Sequence, residues 1–387
     1  MKLFVLLSRI PYPLEKGDKL RAYHQVKLLA EKHEVHLCCL TDAIPHPEAR
    51  KELEKICDEV TILRLNRLLI IWRMFLAFFS DKPFQVHYFY QWRIHRQIER
   101  LIQTVKPDHI YCQLIRTTEY VKNLHTIPKT LDYMDAFNKG MDRRIKDARW
   151  HSKWFLSKES QRLVAYENLI FDYFENHTII SAQDRKLIFH PDREKIKVIP
   201  NGVDFNFFKP QKKEKKYDIL FTGNMSYPPN VNSALYLIDE IFPLLQQEYP
   251  NIKLLIAGVK PHRSLLERAS EQVVVSGWME DIRDAYAESK IFVAPMLIGT
   301  GLQNKLLEAM SMELPCITSP LANNALGGEP GKHLLVSKST KEYAEAISHL
   351  LQNNEEAQQI GKSGGAWVRE NYNWRATVEQ LEQLLQS

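Results

Sequence analysis

Short apolar runs, each closed by a turn residue and followed by a helix-forming stretch, recur along the whole chain. In the first half, residues 2–7, 35–40, 59–64, 108–112 and 129–133 predict strands. Residues 19–31, 47–57 and 91–105 predict helices between them, the first with Asp18 as its N-cap and Ala22, Val26, Leu29 and Ala30 turned inward. A long helical stretch over 149–175 precedes further strands at 178–181 and 196–199. Pro200-Asn201-Gly202 then form a turn, and the charged run 211–216 reads as a solvated linker. After it the alternation restarts, with strands predicted at 218–222, 253–257, 273–276, 291–294 and 316–318. Residues 340–386 are expected to be helical. Strands of this kind, apolar on both faces and separated by helices, belong in parallel sheets covered on both sides. A chain of 387 residues is also too long for one core. The expectation is an α/β protein of two similar domains, 1–203 and 204–371, facing each other across a cleft.

Composition narrows the function classes. A chain with 44% hydrophobic and 26% charged residues is an ordinary globular protein. The net charge of +5 is spread along the sequence, and no recognition motif accompanies it, so nucleic acid is not an expected partner. Cys38, Cys39, Cys57, Cys112 and Cys316 are scattered, without metal-ligand spacing, and read as buried thiols of a reducing compartment. The start is too short in apolar residues for a signal peptide, and no run of about 20 apolar residues predicts a transmembrane helix. No G-x-G-x-x-G follows the first strand, and no P-loop, D-x-D triplet or G-x-S-x-G elbow is present. Neither a metal nor a resident cofactor is expected.

The stretch Gly299-Thr300-Gly301-Leu302-Gln303-Asn304-Lys305-Leu306-Leu307-Glu308-Ala309-Met310 carries the chemistry. It follows the strand at 291–294 and opens a helix. Leu302, Leu306, Ala309 and Met310 make its apolar face. A glycine-opened helix N-terminus after a strand is an anion site, because free backbone N–H groups and the helix dipole face the ligand. Glu308, about two turns in, is placed to take a pair of sugar hydroxyls beside that anion, and Lys305 is the nearest cation. Together these ask for a nucleoside diphosphate. Gly223 and Asn224 end the strand at 218–222, where open α/β sheets place ligands.

In the first half, Gly17 lies in the loop after the first strand, where backbone can approach a phosphate closely. Asp132 and Asp135 end the strand at 129–133, the expected place for a catalytic or acceptor-orienting group. Helix capping by Asp135 is the competing reading. One segment breaks the alternation. Residues 68–79 are apolar nearly all round, with Arg64, Arg67, Arg73 and Lys82 about them. They read either as a helix packed between domains or under a loop, or as an interfacial membrane helix that meets a lipid-linked acceptor.

These motifs, in this order, resemble the GT4 retaining glycosyltransferases of the GT-B fold. The resemblance is carried by Ile199-Pro200-Asn201-Gly202-Val203-Asp204, Phe221-Thr222-Gly223-Asn224-Met225, Gly299-Thr300-Gly301 to Lys305, and Glu308-Ala309-Met310. Ser181-Ala182-Gln183-Asp184, Pro11-Tyr12-Pro13 and Lys16-Gly17-Asp18 fit as well. It is strongest to sugar transferases of exopolysaccharide and cell-surface glycan assembly. It implies two Rossmann-like doubly wound domains, with residues from about 372 to 387 crossing back onto the first. By position, Glu308 matches the second glutamate of the E-x7-E motif and holds the nucleotide ribose. Thr300 stands where the first glutamate usually is. Gly299, Thr300, Gly301 and Leu302 would offer N–H groups to the diphosphate, and Gly17 matches the first-domain loop glycine. The family's Arg/Lys pair is missing from 224–232, so Lys305 is its expected substitute. Asp132 and Asp135 occupy the place of the family's histidine.

The implied activity is transfer of a hexosyl group from a UDP- or GDP-sugar to a glycan or lipid-linked acceptor in polysaccharide biosynthesis. The implied location is cytoplasmic, with peripheral contact at the inner face of the membrane through residues 68–79. A nucleotide-sugar 2-epimerase of the same fold, or a non-catalytic carbohydrate- or lipid-binding relative, is the alternative.

Overall fold

The computed structural model of the chain describes residues 1–14, 16–136, 150–298 and 301–386. Gly299 and Thr300 lie outside the described residues. The chain divides into two compact units, Met1–Pro200 with Arg375–Ser387, and Asn201–Trp374.

The first unit holds seven strands, β1 (Lys2–Leu7), β2 (Glu34–Thr41), β3 (Glu59–Arg64), β4 (His109–Gln113), β5 (Lys129–Asp132), β6 (Asn176–Ile179) and β7 (Lys197–Val198), in the order β3-β2-β1-β4-β5-β6-β7. Every pairing is parallel; Leu3 of β1 pairs with Val35 on one side and His109 on the other. All five residues of β4 and all four of β5 are buried, as a sheet covered on both faces requires. The strand order reverses direction about β1, so the crevice beyond the carboxyl ends of β1 and β4 is this unit's natural ligand position.

The second unit repeats the scheme with β8 (Tyr217–Thr222), β9 (Leu254–Ala257), β10 (Val273–Gly277), β11 (Ser289–Ala294), β12 (Cys316–Thr318) and β13 (Leu335–Val336). Their order is β10-β9-β8-β11-β12-β13, again all parallel. Here the switch falls between β8 and β11. Both sheets are those of the GT-B α/β architecture.

Three details differ from the sequence expectation. The first helix runs Gly17–Leu29, and Lys16 rather than Asp18 is its N-cap, without a side-chain cap. Asp18 sits in the first turn, where the helix dipole favours a carboxylate, and pairs with Arg9 at 2.7 Å. The helical stretch 340–386 is three helices, Thr340–Gln352, Asn354–Asn371 and Trp374–Gln386, broken at Asn353 and at Tyr372–Asn373. The two-residue β13 is too short to leave a periodic trace in the sequence. From Arg375 on, the last helix belongs to the first unit: Arg375 meets Glu31 at 2.8 Å, Glu382 meets Lys32 at 2.7 Å, and the Leu384 carbonyl accepts from Asn176. All five cysteines are free and buried, and burial pushes the Cys38, Cys57 and Cys112 thiols up to about 12.

Candidate active site

The helix Asn304–Ser311 follows β11 by a loop and brings Glu308 to the carboxyl end of the second sheet. Leu306, Ala309 and Met310 are fully buried and Leu302 packs beside them, so the apolar face expected from the sequence anchors this helix. Its far side is held by the helix Asn354–Asn371. There a Cβ on Gly361 would come within 2.2 Å of the Glu313 carbonyl oxygen, so only glycine allows the approach.

Glu308 is oriented from below. Its Oε2 accepts a 2.8 Å hydrogen bond from the hydroxyl of Tyr286, a fully buried residue. The Tyr286 oxygen in turn lies 2.8 Å from Thr222 Oγ1, at the end of β8. Because the Tyr286 proton is committed to the carboxylate, Thr222 donates in that second bond. Glu308 Oε1 has no hydrogen-bond partner among the described residues. Loss of water raises the Glu308 pKa, against the opposing pull of Tyr286 and Lys305. The result is a half-buried carboxylate with one oxygen fixed and the other without a partner among the described residues.

Lys305, one turn earlier, turns inward. Its Nζ donates to Asn230 Oδ1 at 2.5 Å and sits 4.9 Å from the centre of the Phe221 ring. Burial lowers its pKa to about 7, although Glu308 pulls the other way. Asn230 also donates to the Asn224 carbonyl at 3.0 Å, which ties the cation to the loop after β8. That loop is tightly built. Gly258 has φ +142°, and a Cβ there would meet the Gly223 oxygen at 1.8 Å. The Asn224 side-chain oxygen is taken up by Ser226, through its backbone N–H at 3.0 Å and its hydroxyl at 2.8 Å. Asn224 therefore shapes the turn after β8. Gly301 is half-buried at the foot of the helix, where its carbonyl accepts from the Gln303 amide at 2.8 Å.

Tyr286, Thr222 and Asn230 were not singled out by the sequence. Tyr286 lies at a buried helix position whose apolar spacing reads as core. Trp278 is a further addition. It follows Gly277 at the end of β10 with 70% of its surface exposed. An indole left in solvent beside a ligand-facing strand end was visible as Gly277-Trp278, but only the structure shows it exposed. β10 lies two strands from β8, about 10 Å at ordinary strand spacing.

In the first unit the two aspartates separate. Asp132 is fully buried. It accepts from Arg21 Nε at 2.5 Å, Arg21 Nη2 at 3.2 Å, the Tyr111 hydroxyl at 2.9 Å and the Met134 amide at 3.2 Å. Burial would lower the pKa of the fully enclosed Arg21, and the Asp132 charge more than reverses that. Both carboxylate oxygens are thus occupied in holding Arg21. Asp135, three residues on, is exposed. Although part of its surface is open, the surrounding protein crowds water from the carboxyl and, with the Asp184 carboxylate, raises its pKa to about 7; of the two, Asp135 is the one with accessible surface. Gly17 is exposed at the uncapped start of its helix, beyond β1. Arg9 and Arg116 follow β1 and β4. Burial, then repulsion from Arg9, lowers Arg116 to about 10. Among the described residues no cluster of His, Cys, Asp and Glu has the makings of a metal site.

Residues 216–353, which include the Glu308 helix and all six strands of the second sheet, match the family of the glycosyl transferases group 1. The chain is similar over its whole length to an uncharacterized 44.6 kDa protein in the cps region of Klebsiella pneumoniae, with 24% identity over 98% of each chain. It is also similar to the Escherichia coli UDP-Gal:alpha-D-GlcNAc-diphosphoundecaprenol alpha-1,3-galactosyltransferase, 29% identical over 34% of this chain and 38% of that one. Among solved structures, Alr3699/HepE of Anabaena, in complex with UDP and glucose, superposes with a TM-score of 0.67 at 14% identity over 99% of each chain. The second unit therefore matches a glycosyltransferase family over residues 216–353, and the whole chain has the GT-B fold.

Proposed function

We propose that the chain is a GT4-type retaining hexosyltransferase, drawing on a UDP- or GDP-sugar and serving a glycan or lipid-linked acceptor in polysaccharide assembly. The observation that carries this is Glu308 at the β8–β11 switch, with one oxygen locked by Tyr286 and the other without a partner among the described residues. A carboxylate so held takes the two ribose hydroxyls as paired donors. Backbone N–H groups at the start of the Asn304–Ser311 helix, with Lys305 beneath them, take the diphosphate. Trp278 offers its ring to the base. In the reaction the bond from the sugar C1 to the diphosphate oxygen breaks and a bond from C1 to the acceptor oxygen forms on the same face. The acceptor hydroxyl proton passes to the departing diphosphate oxygen on that face, and the nucleotide leaves as its diphosphate. Lys305, able to recover its proton at neutral pH, stabilises that leaving charge. No covalent enzyme intermediate, metal or resident cofactor is required. Asp135 is the group of the first unit proposed to orient the acceptor, and Gly17 the glycine of that unit's loop after β1 proposed to approach a phosphate. The UDP named for HepE and the diphosphoundecaprenol named for the Escherichia coli enzyme support a UDP donor and a lipid diphosphate acceptor.

The test is a thermal-shift screen of UDP-, GDP- and ADP-sugars on the wild-type chain and Glu308→Ala. A ligand that binds only the folded state raises the melting point. Stabilisation by one nucleotide class, lost in the variant, is the expected result. Equal stabilisation of both proteins overturns the reading. UDP-GlcNAc given without acceptor separates transfer from epimerisation, because an epimerase converts it alone.

A further inference from the structure

The helix Arg67–Ala77 is capped by Asn66, whose side chain accepts from Leu68 and Leu69 N–H. Ile70 and Ala77 on one side are buried in the first unit. The opposite side is uncovered. Leu68, Ile71, Trp72, Phe75, Phe78 and Phe79 fall within an arc of about 120° at 100° per residue. All six are exposed, Leu68 by 76% and Phe79 by 78%. Trp72 stacks on Phe75 at 6.0 Å and Phe75 meets Phe79 edge-on at 5.5 Å, while Phe78 also packs on the buried Phe84 at 5.1 Å. A helix of this composition that buries its narrower side and leaves its aromatic side bare has inverted the usual pattern.

Cations and further indoles frame the bare side. Gln91 hydrogen-bonds Asn66 twice, at 3.1 and 2.9 Å, which sets the half-exposed Trp92 beside the helix start. Arg93 and Arg96 lie over the Trp92 ring at 5.3 and 5.0 Å. At the other end Phe155 packs on Phe78 at 6.0 Å. Its neighbour Trp154 is 68% exposed, with Lys158 at 5.4 Å from its ring. Exposed Arg64 and Arg67 stand at the helix start, whereas Arg73 lies over the Tyr90 ring and Lys82 pairs with Glu119 at 2.7 Å; Asp81 is the only acid among residues 64–82. Apolar aromatics inside a rim of tryptophan and cation is the chemistry of a membrane interface with anionic headgroups, where indoles sit at headgroup depth. The helix is 11 residues long, about 16 Å, and among the described residues no helix is long and apolar enough to cross a membrane. It fits lying in the plane of one leaflet.

We infer that the exposed face of the Arg67–Ala77 helix docks the enzyme on an anionic lipid surface, with Trp72 and Phe75 entering the acyl boundary. The inference rests on the reading of a lipid-linked acceptor, which it deepens by naming the surface that meets the lipid.

The experiment sediments the full chain with phosphatidylcholine vesicles and with vesicles that also contain phosphatidylglycerol, at low and high salt, while UDP and GDP thermal shifts are read in parallel. Expected is binding to the anionic vesicles, weakened by salt, with a blue shift of tryptophan emission. Trp72→Glu/Phe75→Glu lowers the bound fraction at least about tenfold with an unchanged nucleotide-induced shift. Arg93→Glu/Arg96→Glu weakens anionic selectivity without touching the helix itself, so the proposal does not depend on one variant folding. A wild-type chain that takes nucleotide but ignores both vesicle types overturns the docking alone. Concentration-dependent dimers abolished by Trp72→Glu/Phe75→Glu also overturn it, since the face then belongs to a second copy. Vesicle binding without any nucleotide response leaves the docking standing and overturns the donor-site reading.

Discussion

The Tyr286 hydroxyl donates 2.8 Å to Glu308 and its oxygen lies 2.8 Å from Thr222, so a strand end, a buried ring and the Glu308 carboxylate form one chain. Glu308→Ala removes a charge-assisted bond from the ligand, and UDP or GDP affinity is expected to fall about 10- to 100-fold. Tyr286→Phe leaves the buried Thr222 hydroxyl and Glu308 Oε2 without their partner. It is expected to cost about 1–3 kcal/mol of stability and to raise KM for the donor more than it lowers kcat. It also raises the Glu308 pKa further, since the Tyr286 bond is what pulls it down. Nucleotide affinity in this variant therefore fails at a higher pH than in the wild type as acid is added. Calorimetric titration across the acid range checks this, and identical profiles for the two proteins would rule out the coupling.

Lys305 gives the opposite limb. Its pKa in the free enzyme is about 7, against an ordinary 10.5. Between those values the unfolded chain holds the proton that the folded one has released, so this group's contribution to stability rises with pH through that window. A bound diphosphate favours the ammonium form. Nucleotide binding at about pH 8 is then expected to take up a proton, and affinity to decline as pH rises above 7. Titration in buffers of different ionisation enthalpy measures the uptake directly. Lys305→Met should abolish the buffer dependence; a wild type that shows none removes the lysine from the diphosphate site.

Asp132 and Asp135 are three residues apart and are expected to fail differently. Asp132→Asn removes the charge opposite the fully buried Arg21 guanidinium, and loss of one charge of a buried pair costs about 3–5 kcal/mol. The melting point should drop by several degrees, with activity lost in proportion to unfolding. Asp135→Asn, at an exposed position, should leave the melting point nearly unchanged and lower kcat. Equal melting points for the two variants would contradict the assignment of Asp132 to the scaffold.

The strand alternation and the restart after residue 216 were legible because parallel strands must be apolar on both faces, and that leaves a trace at every strand. The Glu308 helix was legible for the same reason: Leu306, Ala309 and Met310 had to point inward. What escaped is what depends on distant pairings. Asp132 looks like any strand-end carboxylate until Arg21, 111 residues away in sequence, is found against it. Lys305 looks like a surface lysine until Asn230 is seen at its Nζ. The aromatic run at 68–79 was equally compatible with core or interface, since periodicity fixes which residues share a side but not which side is covered.

The loop after β8 supplies the last prediction. Gly258 holds φ +142° with the Gly223 oxygen where a Cβ would stand, at 1.8 Å, so no rotamer relieves the clash. Gly258→Ala must push the Gly223–Asn224 turn away and break the Met225 to Val259 hydrogen bond of 2.9 Å. It also displaces the Asn224 carbonyl from Asn230, which loosens the clamp on Lys305. The expected outcome is a loss of about 1–3 kcal/mol from backbone strain alone, together with a Lys305 that titrates closer to its ordinary value. Proton uptake on nucleotide binding should therefore shrink in Gly258→Ala, even at a temperature where the variant is fully folded. A variant that melts earlier yet takes up the same proton would show that the turn supports the fold without tuning the lysine.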